Sequence, residues 1–177
     1  MHFTYFVYSM KNLTLDNANS KHCILQTIAC LETEYDLEGN KMTERDYEID
    51  IFRPGDASGV VQLFREVYGN DYPVKIVYDP EGFTRAVERQ DYISVVARTS
   101  EGDIVGFSSF YRSTPNQKLY EMGLGMVSAK YRRTAILGLL MRRLVKEAFT
   151  APGFDAFFGE AVCNHVLTQK GTIVFKT

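Results

Sequence analysis

The chain has 177 residues, 45% of them hydrophobic and 24% charged, and 20 Lys and Arg against 22 Asp and Glu leave a formal charge of −2. These values fit one folded domain of ordinary size and exclude a disordered or low-complexity chain. They also exclude a general nucleic-acid binder, which needs a surplus of positive charge to neutralise many phosphates, so no nucleic-acid partner is expected.

The opening MHFTYFVYSM is apolar and aromatic, but no basic stretch precedes it and it is too short to cross a bilayer. A buried strand or packing arm is expected, and no membrane partner. In residues 19–35, Ile24, Leu25, Ile28 and Leu31 recur at helical spacing, and the polar DLEGNKMTERD that follows, with Gly39 and Asn40, reads as a linker. Residues 1–45 are therefore expected to form an extension to a domain over 46–177. Cys23, Cys30 and Cys163 are odd in number and match no secreted disulfide framework, which favours a reducing, cytoplasmic setting. His22, Cys23 and Cys30 lack the second paired cluster that a tetrahedral site requires, so no metal is expected.

From Tyr47 the signals are regular. YEIDIF alternates as a strand does, RPGDAS is a turn with a helix cap, and VVQLFREVYG is a helix that stops at Gly69. DPEGFTRAVERQ opens with Asp79 at a cap and Pro80 in the first helical position, so it is a second helix. YISVVART and DIVGFSSFYRS are strands joined by a hairpin at SEGD, and KLYEMGLGMV is a third, in which Gly123 and Gly125 mark a bulge or a close backbone approach. VSAKYRRTAILGLLMRRL then runs from a strand end through a basic turn into a helix, with Thr134 the expected cap and Arg142, Arg143, Lys146 and Glu147 on a solvated face. AFFGEAV is a last strand before CNHVLTQK, so the order from Tyr47 is β-α-α-β-β-β-α-β.

A helix start carries unpaired N–H groups and a partial positive charge, where two arginines are unfavourable unless an anion is near. Arg132 and Arg133 at that start therefore point to a local anion site.

Together, this element order and the basic turn resemble the GNAT superfamily of acyl-coenzyme A-dependent N-acyltransferases, over roughly residues 47–170. The family's pyrophosphate loop, Gln/Arg-x-x-Gly-x-Gly/Ala, is matched by Arg132, Arg133, Thr134, Ala135, Ile136 and Leu137. Ala135 and Leu137 stand where glycines are usual, and Gly138 lies one place on. IFRPGD, IVGF and EAVCNHVLTQK add to the likeness. The resemblance implies an α/β (α+β) fold, with a mixed, mostly antiparallel central sheet flanked by helices. It implies acetyl-CoA as cosubstrate and a small-molecule or peptide amine as acceptor. It also implies a coenzyme site made of Met126, Val127, residues 132–138 and Asn164, with Val127 and Asn164 along the pantetheine arm.

Acyl transfer needs a neutral amine, so a carboxylate must take its proton, directly or through water. The resemblance makes Glu121 that base. In a regular strand, six residues would put Glu121 on the same face as Val127, and an ordinary solvent-facing carboxylate is the other reading of this residue. The tyrosine that in many relatives protonates the leaving thiolate has Gly171 at its spacing here, and His165 is the candidate acid instead. Family members usually continue with two more strands where GTIVFKT supplies at most one, so either the chain is a fragment with truncated C-terminal strands, or the N-terminal arm or a second subunit is expected to complete the sheet, the latter as a homodimer. The alternative to an enzyme is a non-catalytic GNAT-like module that senses acyl-CoA or docks a partner.

Overall fold

The computed structural model describes residues 3–9, 46–132 and 134–162, at 3–9 and 160–162 by the backbone alone. The helix expected in 19–35, most of the linker after it, the three cysteines, Arg133, Asn164, His165 and the GTIVFKT strand lie outside these residues.

The described elements are β1 (Phe3–Ser9), β2 (Tyr47–Ile51), α1 (Ala57–Tyr68), α2 (Pro80–Glu88), β3 (Tyr92–Thr99), β4 (Ile104–Tyr111), β5 (Leu119–Val127), α3 (Ile136–Thr150) and β6 (Ala156–Val162). From Tyr47 onward this is the order expected from the sequence. The six strands form one sheet in the order β1-β6-β5-β4-β3-β2, antiparallel throughout except for β5 and β6. That pair is parallel because α3 carries the chain back across the sheet between them, the crossover that parallel neighbours require. The N-terminal arm is the edge strand: β1 pairs with β6 over its whole length, Phe3 opposite Val162 and Ser9 opposite Ala156.

Helices cover both faces of the sheet, and each face has its own core. Val60, Leu63, Phe64, Phe83, Val96 and Phe107 pack under α1 and α2. Val95, Ala97, Phe110, Ile136, Leu140 and Leu144 pack under α3. Adjacent residues of β3 thus serve opposite cores, which explains why YISVVART reads as an unbroken apolar run and not as an alternation.

Local chemistry sets the helix ends. Asp79 caps α2 by accepting from the Gly82 amide at 3.0 Å, with Pro80 in the first turn, as its sequence implies. Gly69 ends α1 at φ +61, donating its N–H to the Arg65 carbonyl at 2.9 Å. Helix α1 begins at Ala57, three residues before the apolar run that signals it, because a 3-10 turn at Pro54–Asp56 leads straight into it. Helix α3 corrects two expectations. Ala135, not Thr134, is its N-cap, since the Thr134 hydroxyl donates to the Tyr131 carbonyl at 2.7 Å and meets the Ile136 amide only at 3.4 Å. Its basic stretch is only partly solvated: Arg143 reaches back to Asp50 on β2 at 3.3 Å and pairs with Glu147 at 2.6 Å.

One ion network ties the start of α1 to the sheet. Arg98 of β3 grips Asp56 with a two-pronged contact, Nε to Oδ1 at 2.9 Å and Nη2 to Oδ2 at 2.8 Å, while the Arg53 amide donates to Oδ2 at 2.8 Å. Both side chains are largely withdrawn from water, at 12% and 8% exposure. In so shielded a pair, removing one partner strands the other's charge. Asp56→Ala is expected to lower the unfolding free energy by roughly 3 kcal/mol, read as a fall in the urea midpoint at unchanged slope.

Candidate functional site

Strand β5 departs from a regular strand at one residue. Gly106 lies opposite Val127 and Phe107 opposite Met126, but Ser109 lies opposite Gly123, so β5 spends one residue more than β4 between these points. The surplus is taken up around Leu124, whose φ is +57, an uncommon conformation for a side chain that large. A bulge is therefore present where the glycines suggest one, but the left-handed residue stands between them. Gly123 and Gly125 serve space instead. A Cβ at Gly123 would lie 3.1 Å from the ring of Tyr111, and one at Gly125 would lie 3.5 Å from Leu137 and 3.8 Å from the Ser108 hydroxyl.

The bulge corrects the expectation that Glu121 and Val127 share a face. One added residue inverts the two-residue alternation, so the ends of β5 look to opposite sides of the sheet. Glu121 stands on the α1/α2 face, directly across from Tyr111 on β4. Val127 packs against the core under α3. Leu124 and Met126 are buried in the α1/α2 core, so the side chain of Met126 is a packing group.

Beside the bulge the sheet opens. Pairing between β5 and β6 stops at Met122 opposite Gly159, although β5 continues to Val127 and β6 to Val162. At the far end of this gap lies the turn that leads into α3. Ile136 is wholly buried, so only its backbone faces the turn, while Leu137 is 44% exposed. No acidic residue occupies the first turn of α3, and its N-cap, Ala135, offers no side-chain acceptor. The Leu139 amide closes onto the Ala135 carbonyl at 3.0 Å, whereas the amides of Leu137 and Gly138 have no bonded partner among the described residues. Such amides, at the positive end of a fifteen-residue helix, are donors suited to an anion. The exposed Arg132 sends its Nε to the Val127 carbonyl at 3.3 Å, which brings its guanidinium to the end of β5.

Sequence reading missed the residue that holds this turn. Glu66 of α1 accepts from the Ser128 hydroxyl at 2.8 Å and from the Ala129 amide at 3.2 Å. No motif announces it, because the two partners are 62 and 63 residues away. A cavity of about 410 Å³ lies nearby, between α1, the β3–β4 turn and the turn after β5. Its lining includes Asp46, Glu66, Glu101 and Asp103 against Lys130, a poor seat for a phosphate, and it does not reach Glu121.

Around Glu121 the sequence gives no warning of what assembles. Burial, and then the carboxylate of Glu121 directly across the strand pair, hold the Tyr111 proton far above the usual tyrosine range. Burial is also the main reason that Tyr72 is pushed up to about 12, with Tyr68 and the charge of Glu121 adding to it. Burial, Asp91 and Glu121 shift Tyr92 the same way. Among the described residues no cationic side chain lies within ion-pair distance of Glu121, and no group of three or more His, Cys, Asp or Glu could hold a metal ion.

No protein-family model matches the sequence, and no curated protein is significantly similar to it. Solved structures match the fold. A tandem GNAT protein from the clavulanic acid biosynthesis pathway aligns with a TM-score of 0.60 at 12% identity over 98% of this chain, which spans 49% of that protein. AAC(6')-Iy, in complex with the bisubstrate analogue CoA-S-monomethyl-acetylneamine, aligns with a TM-score of 0.58 at 12% identity over 74% of this chain and 90% of its own. Glucosamine-6-phosphate N-acetyltransferase from Arabidopsis thaliana aligns at 0.53 with 14% identity over 71% and 90%. This chain has the GNAT fold.

The tyrosines around Glu121 give a pH test. Between pH 10 and about 12 the unfolded chain releases the Tyr72 proton and the folded chain keeps it. Stability that is complete below pH 10 is therefore expected to decline as pH rises through that window. Spectrophotometric titration should show late-ionising tyrosines in the folded protein, and Glu121→Gln should bring the Tyr111 ionisation to lower pH by removing the neighbouring negative charge.

Proposed function

We propose, from the fold shared with GNAT acetyltransferases, that this chain transfers an acetyl group from acetyl-CoA to an amine within a ternary complex. The carrying observation is the opposition across β5: a carboxylate on one face, a helix start with unfilled amides toward the other, and an unpaired gap between them. Acetyl-CoA would lie along that gap, its pyrophosphate on Arg132, Arg133 and the amides of residues 134–138, and its pantetheine arm between the backbone at Met126 and Val127 and the side chain of Asn164. The acceptor nitrogen would enter from the α1/α2 face.

Glu121 is the base in this reading. The ammonium form of the acceptor has no lone pair to attack with, so its proton goes to the Glu121 carboxylate, directly or through one water. The neutral nitrogen then adds to the thioester carbonyl, the C–S bond breaks as the amide forms, the second proton of the nitrogen passes to solvent water, and the thiolate takes a proton from His165, which regains one from solvent. Tyr111, directly across from Glu121 on β4, stands beside it on the acceptor side.

Release of free thiol from acetyl-CoA in the presence of primary amines measures the reaction. Glu121→Gln is expected to lower kcat/KM by about 10²- to 10³-fold. Arg132→Ala is expected to weaken coenzyme A binding roughly tenfold by calorimetry, the loss shrinking as salt is raised. A second reading rests on Leu137, whose exposed side chain lies over Gly125 where the related loops have glycine. A module that binds acyl-CoA without transferring it would show affinity in the same calorimeter and no thiol release with any amine.

A further inference from the structure

The side chains that face Glu121 from the neighbouring elements are aromatic: tyrosines on one side, and Phe158 of β6 in register with it on the other. Tyr111 stands across the strand on β4 and Tyr92 on β3, their rings stacked with centroids 5.8 Å apart at 15°. Tyr72 comes from the connection between α1 and α2, where its amide donates to the Tyr78 hydroxyl at 3.1 Å, and its ring lies 4.8 Å from that of Tyr68 at the end of α1. Tyr68 is 43% exposed, so this wall is open to solvent at its rim. The bare backbone of Gly123 is what lets the ring of Tyr111 settle over β5.

The charges at this wall have one sign. Asp91, next to Tyr92, is neutralised by Arg89 at 2.9 Å and Arg112 at 3.5 Å. Arg112 lies over the ring of Tyr120 at 5.1 Å, and Lys75 lies over Tyr78 at 5.9 Å with its ammonium on the Asn70 carbonyl at 3.0 Å. Both cations are engaged, and among the described residues no cationic side chain forms an ion pair with Glu121. A carboxylate and several ring faces, all electronegative, favour a cation and disfavour an anion.

We infer that the acceptor is an unhindered aliphatic amine without an anionic group, which arrives as its ammonium ion and is held against the tyrosine faces above Glu121. This rests on the reading of Glu121 as the base and adds the substrate class to it. The rings hold the methylenes beside the nitrogen and the ammonium itself, and Glu121 then removes the proton in place. A carboxylate or phosphate on the acceptor would meet the Glu121 carboxylate, whose charge no described ion pair offsets.

Butylamine, diaminobutane and γ-aminobutyrate share a chain length and differ in the far end. With acetyl-CoA and the intact chain, kcat/KM for butylamine and for diaminobutane should each exceed that for γ-aminobutyrate by roughly tenfold or more. Tyr72→Leu should raise KM for butylamine by about five- to twentyfold with a smaller change in kcat, and Tyr72→Phe, which keeps the ring face, should recover most of that loss. Equal or better use of γ-aminobutyrate, or a KM indifferent to Tyr72→Leu, overturns the inference while leaving acetyl transfer intact. Calorimetry with butylammonium alone separates the two claims. Binding that weakens in Tyr72→Leu, without thiol release from acetyl-CoA, upholds the amine site and removes the transferase reading; no binding and no transfer removes the amine site as well.

Discussion

The placement of Glu121 and Val127 on opposite sides of the sheet depends on the single surplus residue in β5. A strand alternates its side chains with period two, and adding one residue inverts that alternation from there on. Glu121, before the bulge, stands among residues beneath α1 and α2, and Val127, beyond it, lies beneath α3. The same irregularity coincides with the loss of pairing to β6 after Met122. Had β5 stayed regular, its carboxylate and its C-terminal backbone would have served one face of a closed sheet. Leu124 holds the left-handed conformation at an energetic cost, offset by the burial of its side chain to 3% exposure in the α1/α2 core.

Two long-range polar contacts keep the elements on either side of β5 in register. Arg98 and Asp56 seat the start of α1 on the sheet, and Glu66, near the other end of the same helix, seats the turn between β5 and α3. One helix therefore connects the ion network at β2 and β3 with the turn that leads into α3. Its connection to α2 also supplies Tyr72 and Tyr78. This arrangement makes α1 the element that joins the tyrosine wall to the turn before α3, since it contacts both.

The tyrosine wall also has a local cause. Tyr92 and Tyr111 lie at adjacent register positions of β3 and β4, and Glu121 lies opposite Tyr111 on β5. Three consecutive antiparallel strands thus bring two phenols and a carboxylate side by side without a loop being involved. The glycine at 123 is needed there for space and not for its dihedral freedom, because a methyl group would press on the Tyr111 ring.

Much of the fold is legible in the chain itself. Asp79 with Pro80, Gly69, the SEGD hairpin and the apolar run of α3 mark element type and boundary through interactions that span a few residues, and local physics decides such features wherever they occur. The basic turn at Arg132 is equally local, and so is the suspicion of a bulge near Gly123. Other features need partners separated by tens of residues: the face on which Glu121 stands, the tyrosines that gather around it, the grip of Arg98 on Asp56 and of Glu66 on Ser128, and the place of the N-terminal strand beside β6. Strand register and helix packing bring those residues together, and one residue more or less in β5 changes which of them meet. The sequence determined the elements and the anion-seeking turn, while tertiary structure decided which side chains share a site, because side-chain direction in a sheet is set by register.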